Sequence, residues 1–401
     1  MSSSLSHSVH GASAQHPQTP QRTARINSID IMRGAVMLIM LLDHVRERFF
    51  LHMQVSDPMD LSTTSSALFL SRFAAHFCAP IFVFLTGVSA WLYANRNHSG
   101  ATGKPRSARA FLIKRGLFLI ALEILVINFS WMGNYHTLWL QVIWVIGLSM
   151  LALAALINLP RLWMALLGLA IVFGHNLLTP IGFNYGDWGY SLWTLLHDRG
   201  YLVAEGSLKV KVSYPTLPWI GVILLGYVMG PLFSGKNSAS LRQQKLLFLG
   251  VSSLLLFVFL RGLNIYGETL PWQAGTNLSE TLMSVFNLTK YPPSLSFLLV
   301  TLGGMFLCLI AFEKNMGRVG HWLAVFGSVP MFFYILHLYV LLLLQNTAKF
   351  MFGANYGDLF GVDHIAWVWA ITVILIPLLY YPVKQFSAYK QQNNQAWIKY
   401  L

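Results

Sequence analysis

Within RINSIDIMRGAVMLIMLLDHVRERFFLHM (25–53), two side chains could do chemistry inside a membrane: Arg33 and His44. They are eleven residues apart. At about 100° per residue that falls about 20° past three full turns, so both share one helix face, roughly 16 Å apart along the axis. Arginine offers a permanent cation with a planar donor fork for phosphate or carboxylate. Histidine offers a base near neutral pH. Both are costly on a membrane helix unless their stripe faces protein or water, so the pair marks a candidate functional site.

Further polar side chains sit where lipid-facing sequence would not place them. The helix ends DHVRERF, with Asp43 and Glu47, and His44 and Arg48, each spaced i, i+4. Asp43 beside His44 would raise its basicity; an interfacial collar of charges remains the plain alternative. In SRFAAHFCAP, Arg72 and His76 share a face just before Pro80. Snorkelling by Arg72 and a satisfied core His76 explain that pair equally well. Glu123 lies mid-segment in GLFLIALEILVINF and must face the interior, paired with a cation such as Arg33 or carrying a proton. His337, in PMFFYILHLYVL, reads as a core histidine or a site residue, with Tyr334 three residues before it on the same side.

The elements that must carry these residues are membrane helices. The chain of 401 residues is 55% hydrophobic and 10% charged, with a mean hydropathy of +0.56. Soluble proteins carry about 25% charged residues. Stretches near 29–50, 68–94, 110–131, 138–157, 161–178, 215–233, 246–266, 293–313, 324–347 and 364–383 are apolar enough to span. The expected fold is all-α, a polytopic bundle of about ten transmembrane helices spanning 25–385. Residues 1–24 read as a disordered cytoplasmic tail and 386–401 as a cytoplasmic C-terminal tail. The 27 Lys and Arg against 14 Asp and Glu concentrate in loops on one side, which orients the bundle with both termini inside and explains the basic excess without nucleic acid. Arg33 then lies toward the inner end and His44 toward the outer. The long connection 179–214 should form an ordered cap or loop over one mouth. Cys78 and Cys308 read as buried small hydrophobes.

Phosphate-binding, dinucleotide, HExxH, CxxC and GxSxG motifs are all missing from the sequence, so phosphoryl transfer, redox and serine-hydrolase chemistry have no support, and no metal is called for. SIDIMRGAVMLIMLLDHVRERFF resembles the catalytic-domain family of heparan-α-glucosaminide N-acetyltransferase. RFAAHFCAPIFVFLTGVSAWL, YPTLPWIGVILLGYVMG, KYPPSLSFLLVTLG and GSVPMFFYILHLYVL look like bacterial members of the same family. The Arg-x10-His spacing is also similar to that of the wider acyltransferase-three group.

The resemblance implies a transmembrane acyltransferase-like bundle in a bacterial inner membrane. It would take an acyl group, usually acetyl from acetyl-CoA, on the cytoplasmic side and deliver it to a glycan or amino-sugar acceptor outside. It implies a catalytic histidine at the end of the first helix: His44, supported by Asp43, with His52 as a secondary candidate. Arg33 would hold the CoA phosphates, and Arg72, His76, Glu123 and His337 would support the site or its substrate. The bilayer and acyl-CoA are the expected partners, with a homodimer left open. No counterpart of the family's large luminal domain is expected, so a heparan acceptor does not carry over. A proton-coupled transporter or lipid-linked flippase, relaying protons through Glu123, His44 and His337, is the competing class, and a non-catalytic membrane scaffold the third.

Overall fold

The computed structural model describes residues 27–50, 55–95, 107–235, 237–314, 316–393, 395 and 397–400. His52 and the 1–24 tail lie outside the described residues.

The chain opens with α1 (Asn27–Phe49). Next, α2 (Ser66–Ala75) and α3 (Cys78–Ala94) form one 29-residue stretch, Ser66–Ala94, broken at His76 and Phe77. Pro80 causes the break: it has no N–H for the carbonyl four residues back, and the chain tightens there, with His76 N bonded to Phe73 O at 3.0 Å. Then come α4 (Ala108–Leu122), a π-helical turn (Glu123–Ile127) and α5 (Asn128–Met132). After these come α6 (Val142–Leu156), α7 (Arg161–Gly174), α8 (Tyr190–Leu196), α9 (Leu217–Met229), α10 (Ala239–Gly262) and α11 (Leu278–Phe286), in that order. The chain finishes with α12 (Leu295–Glu313), α13 (Gly317–Ser328), α14 (Pro330–Phe352) and α15 (Ile365–Gln392).

Six helical stretches have the length and apolar composition to cross a membrane: Ser66–Ala94, Arg161–Leu178, Ala239–Gly262, Leu295–Glu313, Pro330–Phe352 and Ile365–Gln392. Val142–Leu156 and Leu217–Phe233 are apolar but shorter. This is an integral membrane protein. The first helix has 23 residues but carries six charged side chains between Asp30 and Arg48, and the bundle accommodates them by surrounding it. α2, α3, α12, α13, α14 and α15 all pack on α1, and Asp30, Asp43, His44, Arg46 and Arg48 are buried.

Close approach at α1 depends on glycine. A Cβ on Gly34 would sit 1.9 Å from Leu323 O, and one on Gly327 would sit 1.8 Å from Asp30 O. The backbones of α1 and α13 therefore touch at Gly34 and Gly327, as small-residue membrane packing permits. Gly87 of α3 and Gly226 of α9 make the same kind of crossing.

One expectation is corrected: the fold is not all-α. A three-stranded sheet, β1 (Thr137–Leu140), β2 (Gly200–Val203) and β3 (Lys209–Val212), runs in the order β1-β3-β2. β1 pairs in parallel with β3, from Thr137 opposite Lys209 to Leu140 opposite Val212, and β2 pairs antiparallel. β1 takes the first residues assigned to the span 138–157, so α6 starts only at Val142. The physical reason is the period-two alternation of KVKV in β3 and the aromatic and β-branched content of TLWL in β1. The connection 179–214 supplies the other two strands and α8, so it is ordered. Cys78 is buried, but Cys308 is exposed on α12.

Candidate functional site

His44 projects from α1 against α14. Its Nδ1 is 2.7 Å from Nε2 of His337, and Nδ1 of His337 is 2.7 Å from the backbone carbonyl of Phe333. A carbonyl only accepts, so His337 Nδ1 carries the hydrogen that fills that bond. With both rings neutral, His337 Nε2 is then an acceptor and His44 Nδ1 donates to it. This direction leaves the lone pair of His44 at Nε2. The rings lie edge to edge and nearly coplanar, with centroids 5.0 Å apart and planes 15° apart. Trp131 and Tyr334 close on His44 edge to face, at 5.0 and 5.8 Å. The imidazole is thus fixed in rotation and tautomer.

His44 lines a cavity of about 420 Å³ running along α1. At one end the lining includes Arg33, Arg115, Lys390, Ser89, Ser328 and Ser387; at the other, Asp43, His44, Tyr214 and Lys290. Between them the wall is mostly apolar, with Met37, Met40, Phe82, Leu119, Ile143, Ile146 and Met150. Arg33 and His44 thus lie toward opposite ends of a single cavity, as their eleven-residue spacing on one face predicts. Arg33 bonds Asp30 at 3.4 Å and donates to the Ser89 hydroxyl; Lys390 Nζ reaches Ser328 O at 3.5 Å. Three cations at one mouth are the groups that could hold a phosphorylated ligand.

Asp43 also lines the cavity, but its carboxylate is committed to arginines. Arg46 donates from Nε at 3.0 Å and from a terminal nitrogen at 2.8 Å, while Arg72 approaches at 3.5 Å. The residue that orients His44 is His337, from a helix nearly three hundred positions away. Arg72 also lies over the Tyr291 ring at 6.0 Å. Asp57, in the loop after α1, accepts from the backbone N–H of Lys290 and Tyr291 at 3.1 and 2.9 Å, pinning Lys290 at the cavity wall. Burial pushes the Asp57 carboxyl above its ordinary value, opposed by the nearby Arg72 charge.

Glu123 is fully buried, at 0% exposure, and does not line the cavity. Its Oε2 accepts from the backbone N–H of Trp144 at 3.2 Å, the third residue of α6. Gln141 makes no side-chain cap there, so Glu123 caps α6 from a neighbouring helix. The π-helical turn starting at Glu123 aims Asn128 at β1: its amide donates to Glu123 O and Trp139 O, and its Oδ1 accepts from Trp139 N. His76 is buried between Phe73 and Phe297, off the cavity, with Nδ1 unpartnered among the described residues.

The sequence singled out Arg33, Asp43 and His44 at the cavity and His337 behind it. It missed Lys290, Tyr214, Arg115 and Lys390 as cavity residues. Arg115 and Lys390 carried only the loop-charge signal of orientation, and Lys290 lay in a turn-rich segment, KYPPSL, with no helical period to assign it a face.

Residues 25–266 match the family described as "Heparan-alpha-glucosaminide N-acetyltransferase, catalytic". No curated protein matches the chain.

Proposed function

Because the chain belongs to the heparan-alpha-glucosaminide N-acetyltransferase catalytic family, we propose that it transfers an acetyl group from acetyl-CoA, through the cavity along α1, to an amine or hydroxyl acceptor. The phosphates of CoA bind at the mouth formed by Arg33, Arg115 and Lys390. The pantetheine arm follows the apolar wall, and the thioester stops beside His44. The single observation that carries this reading is the continuous cavity with cations at one end and an oriented imidazole at the other.

His44 Nε2 holds the lone pair that accepts the acceptor's proton. The acceptor's nitrogen or oxygen attacks the thioester carbonyl carbon, the C–S bond breaks, and the CoA thiolate takes the proton from His44. Transfer through an acetyl-histidine uses the same lone pair as nucleophile. The acceptor, a sugar or amino sugar of a glycan, arrives from the Lys290 and Tyr214 end. In this reading α1, the α4–α5 stretch, α6 and α9 join the six long helices as spans, both termini are cytoplasmic, and the membrane is the bacterial inner membrane.

The test is acetyl-CoA binding to the purified protein in detergent, followed by thiol release with glucosamine as acceptor. Binding, with release that His44→Ala reduces by about 10²–10⁴ while affinity stays unchanged, is the expected result. Failure of the folded protein to bind acetyl-CoA rejects the proposal.

A further inference from the structure

The site as described has a base and a place for the donor, but no assigned group for the charge that develops on the thioester oxygen. Tyr334 is the side chain placed to supply it. It stands on α14 one turn before His337, on the helix that orients His44. The residue is 2% exposed, it lines the cavity, and its hydroxyl has no hydrogen-bond partner among the described residues. Its ring meets His44 edge to face at 5.8 Å and His337 at 5.5 Å, which fixes the phenol beside the reacting imidazole. Buried hydroxyls are almost always bonded, and one left open at a cavity wall is poised for a ligand oxygen.

The other polar groups near His44 are less suited to this role. Asp43 only accepts and is held by Arg46 and Arg72. The Tyr214 hydroxyl accepts from that of Tyr291 at 3.1 Å, at the end of the cavity where Lys290 stands and not on the helix that orients His44. The Lys290 ammonium lies over the rings of Tyr291 and Tyr214, at 5.2 and 6.0 Å. Trp131 Nε1 is also without a partner, but Trp131 does not line the cavity.

We propose that the Tyr334 hydroxyl is the oxyanion donor of the acyl transfer, hydrogen-bonding the carbonyl oxygen of the bound thioester. This rests on the acetyl-CoA reading above. As the acceptor attacks the carbonyl carbon, the π pair moves onto oxygen and Tyr334 O–H donates to it without giving up its proton. When the C=O re-forms and the C–S bond breaks, the hydrogen bond relaxes to its ground-state strength. A donor of this kind acts on the transition state more than on the bound thioester, so its loss falls on kcat and not on acetyl-CoA affinity.

Six proteins decide the matter: wild type, Tyr334→Phe, Lys290→Met, and His44→Ala alone, with Tyr334→Phe and with Lys290→Met. Thiol release with glucosamine gives kcat and KM. Infrared spectra of carbonyl-¹³C acetyl-CoA bound to the His44→Ala forms report the hydrogen bond directly. Tyr334→Phe should keep acetyl-CoA affinity and lower kcat by about 10²–10³. The bound carbonyl band, shifted down from free acetyl-CoA in His44→Ala, should return toward the free position in the double variant. A Tyr334→Phe protein with wild-type kcat, an unmoved carbonyl band, or loss of the shift in the His44→Ala, Lys290→Met protein instead would overturn the assignment while acetyl-CoA binding still stood. Absence of acetyl-CoA binding in the wild type would overturn the donor reading and this assignment together.

Discussion

His44 and His337 are joined ring to ring by a 2.7 Å hydrogen bond, and the Phe333 carbonyl, 2.7 Å beyond, sets its direction. A helix carbonyl thereby chooses the tautomer of a histidine on another helix. Of the two imidazoles, the one whose Nε2 lone pair remains available is His44, which lines the cavity.

His337→Phe preserves ring volume against Phe333 and Tyr334 but removes the acceptor that holds His44 Nδ1. His44 is then free to rotate and to exchange tautomers. Transfer should fall by about 10²-fold, the usual cost of a reacting group displaced by an ångström. Acetyl-CoA affinity should stay at the wild-type value, because His337 does not line the cavity. Steady-state kinetics beside a binding titration check this; wild-type turnover would show that His44 needs no orienting partner.

The crossing of α1 and α13 predicts a second outcome. Gly327→Ala would place a methyl carbon 1.8 Å from Asp30 O, on backbone that cannot swing away as a side chain can. The two helices must separate, and Asp30 and Arg33 lie on that turn of α1. The variant should lose thermal stability in detergent and bind acetyl-CoA more weakly. Ser328→Ala, at the neighbouring position, deletes the hydroxyl's bonds to Val325 O and Ser387 without forcing the backbones apart and should be far milder. Equal melting temperatures for Gly327→Ala and the parent would contradict this packing.

How much of this was legible follows from what each residue's neighbours are. Arg33 and His44 are on one helix, so a period of 3.6 sufficed to place them on one wall of the cavity. The partner of His44 was not legible as such. Asp43 is adjacent in sequence, but successive residues on a helix diverge by about 100° and rarely share a task. The contact that forms instead joins positions 44 and 337, and no local period encodes it. Glu123 was rightly read as interior, because no depth-independent escape exists for an acid in a membrane span. Its partner was not: a backbone N–H at the start of α6 leaves no side-chain signal. The sheet was half visible, since KVKV alternates by twos. TLWL did not stand out because it abuts VIWVIGLSML, and hydropathy alone joins the two into one span.

The position of Glu123 separates a proton relay from a structural cap. Glu123→Gln keeps an oxygen to accept from Trp144 N–H, so activity should remain near wild type. Glu123→Ala removes the cap and should lower stability by about 0.5–2 kcal/mol, the usual range for losing an N-cap. A relay through Glu123 requires the opposite ranking, with Gln as inactive as Ala because neither carries a proton. Turnover and unfolding measured on the two variants together decide between them.

Arg33 carries the last prediction, because its environment offers two explanations for its presence. It lines the cavity with Arg115 and Lys390, and it also bonds Asp30 at 3.4 Å, with 21% of its side chain exposed. If it contacts a CoA phosphate, Arg33→Ala should weaken acetyl-CoA binding by about 10- to 150-fold, the equivalent of roughly 1.5–3 kcal/mol for a charge-assisted contact. Arg33→Lys should lose less, since the charge remains while the planar fork is gone. Rising salt should narrow the gap between the parent and Arg33→Ala, where the charge is lost. If Arg33 instead serves Asp30, which is buried, its removal takes away that cation and should destabilise the protein by about 3–5 kcal/mol, with affinity unchanged in the folded fraction. Binding isotherms and melting curves on the same detergent preparations separate the two. The geometry favours the phosphate contact, because Arg115 and Lys390 converge on the same mouth and a mere counter-ion for Asp30 would need neither.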